Sequence, residues 1–268
     1  MKALSIFGQS INFYGQVFNK VFWISLGSNL VPLILGGTIM GAGMASENPL
    51  LGLLGGIIAI LSALFFYTWQ ISYIDQYASE QNDSLKDAIP RALNKMGPFF
   101  LLSLAIALLA VAIVLPIVIV ASVFAPEGIS QESLGVMLMP VIIVPVMLVM
   151  YRLIFSSYYV ILKDKGVVDS IKLSNGHVKQ HAWLVLRCLL LVIAITVAWL
   201  LLTSLIASMI ALPEAALTFL EFSVNVLLTP LFGIFLYRLF MVTEPSNGDH
   251  IEEDAHDVEQ DNTASKDE

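Results

Sequence analysis

Residues Asp83–Phe124 read DSLKDAIPRALNKMGPFFLLSLAIALLAVAIVLPIVIVASVF. As far as Lys95 the stretch carries charge on one side of a helical repeat, and from Met96 onward it holds no charged side chain until Glu127. Crossing the bilayer hydrocarbon takes about 20 mostly apolar residues, so the run is long enough to span. A charged lead-in followed by a membrane-crossing helix is written into one segment. Working outward, six runs qualify, roughly Val21–Met44, Leu50–Ile74, Phe99–Phe124, Leu134–Tyr159, Ala182–Ala211 and Ala215–Val242. Composition agrees: 57% of the 268 residues are hydrophobic, 13% are charged and the mean hydropathy is +0.83, whereas a soluble domain carries roughly a quarter charged residues. The expected fold class is all-α, a polytopic integral membrane protein with six transmembrane helices.

Six spans place both termini on one side, and basic residues choose the side, because cytoplasmic loops hold the excess of them. Lys2 and Lys20 precede the first span, Lys86, Arg91 and Lys95 lie between the second and third, and Lys163, Lys165, Lys172 and Lys179 lie between the fourth and fifth. The opposite loops, around Glu47, Glu127 and Glu214, contain no basic residue. Both termini are therefore expected in the cytoplasm, and tyrosines such as Tyr14, Tyr73, Tyr151 and Tyr237 gather at the same ends, as interfacial rings prefer. No cleavable signal peptide is expected, since the apolar stretch after Lys2 is broken and lacks a small-residue cleavage pattern. A lone cysteine, Cys188, allows neither an intrachain disulfide nor a cysteine metal cluster.

The tag DSLK at Asp83–Lys86 returns as DSIK at Asp169–Lys172, 86 residues later, and YRL at Tyr151–Leu153 returns at Tyr237–Leu239 with the same interval. The outer-loop pair Pro126-Glu127 returns one residue late as Pro213-Glu214. The spacing predicts three two-helix repeat units, about 1–83, 84–169 and 170–243, each opened by a cytoplasmic amphipathic lead-in and related by an axis along the membrane normal. In the first lead-in Phe7, Ile11, Tyr14 and Phe18 share a helix face. In the second Leu85, Ala88, Ile89, Ala92, Leu93 and Met96 do so, with Ser84 and Asp87 spaced as a capping box and Pro90 as a kink or restart. The third has a thinner stripe of Ile171, Val178 and Ala182, weakened by Gly176. Beyond residue 243 the composition changes: Glu244–Glu268 holds ten acids and one lysine, the composition of an acidic disordered tail. That tail accounts for a formal charge of −8 over the whole chain.

Chemistry-bearing groups are few. Glu221, with Thr218, Asn225 and Thr229, follows the 3.6-residue period on the sixth span, and an ionisable group at that depth is a functional candidate by default. Ser25, Ser28, Asn29 and Pro32 form a polar face on the first span, so Glu221, Asn225, Thr218 and Asn29 are the candidate intramembrane polar site. The competing reading is that these groups hydrogen-bond helices together. Arg152, Arg91, Lys95, Lys172 and Lys179 are candidate contacts for lipid headgroups, against the plainer reading of snorkelling or topogenic cations. His177 and His181 have the i, i+4 spacing of two metal ligands, but no third ligand is near in sequence, and a structural role is expected. Gly37 with Gly41, and Gly52 with Gly56, predict close backbone contact in the first hairpin or, as the alternative, a dimer face. No nucleophile elbow, zinc-protease motif or phosphate loop is present, so no enzyme activity and no cofactor are expected.

The stretches VILKDKGVVDSIKLSNGHVKQHAWLVL at Val160–Leu186 and PLFGIFLYRLFMV at Pro230–Val242 resemble those of the YciC-like family, six-span inner-membrane proteins without an assigned activity; DSLKDAIPRALNKMGPFFLL resembles it more weakly. The resemblance implies a bacterial inner-membrane location and the same topology, and it supplies no catalytic residues. The acidic tail departs from the family pattern. Two functions stay open. One is a lipid- or partner-binding assembly protein, whose partners are membrane lipids and either another membrane protein or a second copy, with no nucleic acid. The other is a small-solute or ion-coupled transporter or channel using the polar faces of spans one and six.

Overall fold

A computed structural model of the chain describes residues 3–80, 83–124, 131–210 and 213–244. Among these the order is α1 (Ala3–Val31), a π-helical turn (Pro32–Gly36), α2 (Gly37–Ala45), α3 (Pro49–Glu80), α4 (Ala88–Phe124), α5 (Gln131–Arg152), α6 (Ser156–Leu162), α7 (Val167–Gln180), α8 (Ala182–Ile210) and α9 (Glu214–Thr243). Six segments are long and apolar enough to cross a membrane: Ala3–Ala45, Pro49–Ser79, Ala88–Val120, Leu138–Leu162, Ala182–Ala207 and Thr218–Thr243. The chain is an all-helical, multi-pass membrane protein. The acidic tail beyond Glu244, and the outer-loop Pro126-Glu127, lie outside the described residues.

Two of the three lead-ins are not separate helices. Ala3–Val31 runs unbroken, and α4 begins at Ala88 and continues through Pro98 and Pro116 to Phe124. Pro90 sits in the first turn of α4, where a missing N–H leaves no gap in the ladder, so it neither kinks nor restarts the helix. The third lead-in is a helix of its own, α7, despite Gly176. The faces also differ from the expected stripes. On α1 the buried residues are Ile6, Ser10, Phe13, Val17, Val21, Ile24 and Ser25, while Ile11 and Phe18 are exposed. Ser10 can join this seam because its hydroxyl bonds to the Ile6 carbonyl. On α4 the small Ala88 and Ala92 point inward and Leu93 outward. On α7 the buried set is Ser170, Ser174, His177 and Val178. Polar groups satisfied by local bonds are not visible to a hydrophobic count.

α1 packs along α9, α3 lies against α1, α2 and α4, and α7 bridges α5, α6 and α8. The sixth span is the most buried of the six. The core formed by Ile6, Phe13, Ile74, Phe155, Tyr158, Ile161, Phe235 and Phe240, among others, sits at the end of the bundle that holds the lysines. Toward the opposite end the helices carry exposed apolar side chains such as Leu54, Leu115 and Leu201. Water beside the basic end makes burial favourable there, at about 1.5–3 kcal/mol for a large apolar side chain, whereas in hydrocarbon no such drive brings helices together.

At the basic-free end, contact comes from glycine. A Cβ on Gly43 would lie 2.5 Å from the Gly52 nitrogen, and one on Gly55 would lie 2.6 Å from the Met40 nitrogen. Gly36 faces Ala59 and the Gly55 carbonyl in the same way. The expected close contact in the first hairpin is present, but through Gly36, Gly43 and Gly55; Gly41 and Gly56 have open space. The π turn at Pro32–Gly36 adds a residue to one turn and so rotates α2 relative to α1 about their common axis.

The fourth span is interrupted at residues 153–155 between α5 and α6. Ser174 on α7 enters this break, its hydroxyl accepting from the Phe155 N–H at 3.2 Å and donating to the Arg152 carbonyl at 2.9 Å. Successive spans pack as neighbours, α2 with α3, α4 with α5 and α8 with α9. The matching motifs sit differently within them, since Tyr151–Leu153 spans the end of α5 whereas Tyr237–Leu239 lies inside α9.

Candidate functional site

The break in the fourth span turns Arg152 out beside α7. Its Nη1 donates to Asn175 Oδ1 at 3.0 Å, which orients the guanidinium and is its one side-chain hydrogen bond among the described residues. Lys172, Leu148, Val149, Leu153 and Ile171 stand around it. Together with Asn175 these residues line a groove of about 340 Å³. Among the described residues no carboxylate forms an ion pair with Arg152 or Lys172. The groove is therefore apolar toward the middle of the span and doubly cationic toward the basic end.

The other expected headgroup cations are placed differently. Arg91 Nη1 pairs with Asp75 Oδ2 at 2.8 Å, and Tyr237 donates to the other oxygen of Asp75 at 3.1 Å, which ties α3, α4 and α9 together. Lys95 pairs with Asp164. Lys179 is exposed on α7, away from the groove lining. Lys20 bridges to Asp83 at 2.9 Å, and Tyr73 also donates to Asp83. These two donors hold the Asp83 carboxyl below the usual carboxylate range.

His177 lies in the core, 2% exposed, with its ring 4.5 Å from that of Phe155. Its Nε2 is 2.7 Å from Thr243 Oγ1, and Thr243 donates its own proton to the Leu239 carbonyl at 2.6 Å. Thr243 must then accept from His177, so Nε2 carries the hydrogen and Nδ1 accepts from the Tyr159 hydroxyl at 3.0 Å. Burial, with His181 nearby, pushes the His177 pKa down to about 4. Both nitrogens are occupied, so His177 joins α6, α7 and α9, with the His181 ring 5.8 Å from its own.

In the candidate intramembrane site, Ser25 donates to the Val226 carbonyl at 2.8 Å, and the Asn29 amide donates to the Ser25 carbonyl at 2.8 Å. Pro230 has no N–H for Val226, four residues before it, and Ser25 supplies the missing donor. Thr218 and Asn225 are exposed on α9. The side chain of Glu221 lies outside the described residues. Spans one and six thus meet through Ser25 and Val226, and no hydrogen bond joins Asn29 to Asn225 among the described residues.

Sequence reading missed Gln70 and Asp75. Gln70 is buried against Gly233, where a Cβ would stand 2.8 Å from its amide nitrogen. A glutamine opposite a glycine on two apolar helices is the signal that could have paired them. Asp75, Ala78, Ser79, Tyr237, Arg238 and Met241 line a second cavity of about 170 Å³, in which the Arg238 guanidinium leans over the Phe13 ring at 4.7 Å. Compared with family models, curated proteins and solved structures, the chain matches none.

Proposed function

We propose that the protein is a lipid-binding membrane protein that holds the headgroup of an anionic phospholipid in the α5–α7 groove, with no catalytic step. The observation that carries this reading is the meeting of Arg152 and Lys172, without a carboxylate partner among the described residues, at the polar edge of an apolar groove. A phosphodiester accepts bidentate bonds from a guanidinium and a further bond from an ammonium, and acyl chains continue naturally onto exposed Leu148 and Val144 of the same helix. The reading includes a bacterial inner-membrane location with both termini cytoplasmic, supported by the basic residues of the connecting segments and by the resemblance to the YciC-like family. In that orientation the groove opens at the inner leaflet, whose anionic lipids attract basic residues by about 1 kcal/mol each. The 86-residue repeat is part of the same proposal, with the third lead-in, α7, adapted to form one wall of the site.

Transport draws no comparable support, because the polar donors of span one serve backbone carbonyls. The test is native mass spectrometry of the protein released in lipid patches from its own membrane. A phosphatidylglycerol-sized adduct should appear on the wild type and fall about tenfold in occupancy with Arg152→Gln/Lys172→Gln, a loss of two charge-assisted contacts. An unchanged adduct in that variant would falsify the groove as the site, and a co-isolated second protein in place of lipid would turn the reading toward assembly.

A further inference from the structure

A second positive site lies away from the α5–α7 groove, between α3 and α9. The cavity of about 170 Å³ there is lined by Asp75, Ala78 and Ser79 from α3 and by Tyr237, Arg238 and Met241 from α9. Asp75 brings a negative charge, but both of its oxygens are engaged, Oδ2 by Arg91 and Oδ1 by the Tyr237 hydroxyl. Arg238 is left over. Among the described residues it forms no ion pair, and its Nε is buried without a hydrogen-bond acceptor. Two guanidinium groups thus stand with one carboxylate, a surplus of one positive charge. A buried donor without an acceptor is uncommon, because the water it gives up is not replaced. A snorkelling arginine carries its head into water, whereas the Arg238 guanidinium lies over the Phe13 ring, 4.7 Å from its centroid. That ring occupies the face of the guanidinium and leaves the in-plane N–H groups for an oxyanion.

We propose that the α3–α9 cavity binds one phosphate-type oxyanion, presented by a phospholipid headgroup or free in the aqueous phase, with Arg238 as its main donor. The inference is independent of the α5–α7 reading, because no residue lines both cavities. Size and charge select the ligand. The space takes a phosphate group with a few waters, each of which occupies about 30 Å³ in the liquid. One surplus positive charge matches a phosphodiester or a singly charged phosphate, and a guanidinium fork matches the spacing of two phosphate oxygens. Position agrees. Ser79 is the last residue of the second span, and Met241 stands two residues before the end of the sixth, so the mouth lies at the level of the lipid headgroups. Ala78, Ser79 and Met241 are exposed around it, while Tyr237 is buried. The bound oxyanion joins α3 to α9 and, through the Phe13 ring under Arg238, to α1.

The test measures thermal unfolding of the full-length protein in phosphatidylcholine nanodiscs at constant ionic strength, with chloride exchanged for inorganic phosphate. A second series adds phosphatidylglycerol on the Arg152→Gln/Lys172→Gln background, which removes the α5–α7 groove as a source of any shift. Titrated to about ten times its Kd, the ligand should raise the midpoint by about 3–6 °C, and high salt should reduce the gain. A rise with inorganic phosphate alone identifies a free oxyanion, a rise with phosphatidylglycerol alone identifies a lipid headgroup, and either supports the site. Arg238→Gln should weaken binding about tenfold and cut the gain to about 1 °C. Should that variant fail to fold, Ala78→Leu gives the same reading, because it fills the exposed mouth and leaves Arg238 in place. No rise in either series, or a rise that persists in Ala78→Leu or in folded Arg238→Gln, overturns the proposal.

Discussion

His177 shows how one side chain can hold three helices without chemistry of its own. Its neutral ring donates to Thr243 and accepts from Tyr159, so an added proton forces the Tyr159 bond to reverse in a buried place. With its pKa pushed down to about 4, against an ordinary value near 6.5, the unfolded chain binds a proton between those values and the folded one does not. Stability is therefore complete above about pH 6.5 and falls as pH drops through that window, by about 1.4 kcal/mol per unit. Thermal unfolding in nanodiscs at pH 7 and pH 5 checks this. His177→Gln, which can donate and accept in the same places, should flatten the dependence; a wild-type slope equal to the variant's would remove His177 as its cause. Ser25 gives a sharper case, because its partner carbonyl is free only on account of Pro230. Ser25→Ala should cost about 0.6–2 kcal/mol, the range for a hydrogen bond between membrane helices. On a Pro230→Ala background, where the N–H of residue 230 can serve Val226, the same change should be close to neutral. A double-mutant cycle with no coupling would break that link.

At the scale of elements, what the residues made legible and what they hid have different physical sources. Span positions came from the length of charge-free runs, since hydrocarbon tolerates few alternatives to an apolar helix. The phase of each helix about its axis did not. Leu93 stands in the apolar stripe of α4 yet faces outward, and Ser174 lies on the buried side of α7, because lipid accepts an exposed leucine and a local hydrogen bond accepts a buried serine. The glycine contact falls at Gly43 and Gly55 and not at Gly41 and Gly56, and the break at residues 153–155 needed a partner from α7 that local sequence does not name. The first hairpin converts this into a measurement. Gly43→Ala or Gly55→Ala drives a methyl into the facing backbone and should destabilise by about 1–3 kcal/mol, as overpacking does. Gly41→Ala and Gly56→Ala should be tolerated. Unfolding midpoints of the four variants separate the two registers, and equal effects would mean the helices do not touch where the glycines place them.

Over the whole molecule, polarity and packing are concentrated at one end. Asp75 with Arg91 and Tyr237, Lys20 with Asp83, Lys163 with Glu244 and the His177 relay all lie at the basic end, around the aromatic core. The other halves of the helices show lipid-facing leucines. Such a one-ended body is anchored by the interface it faces, so its orientation decides which leaflet the groove can sample. The basic connections predict the cytoplasmic leaflet. The structure offers clean positions to check this: Ser46 is exposed in the turn between α2 and α3, Lys165 is exposed before α7, and the native Cys188 is buried. In intact cells a membrane-impermeant maleimide should label Ser46→Cys and leave Lys165→Cys untouched until the membrane is opened, with the wild type silent throughout. The reverse pattern would place Arg152 and Lys172 at the outer leaflet, away from the anionic cytoplasmic surface. The headgroup reading would then lose the electrostatic reason that supports it.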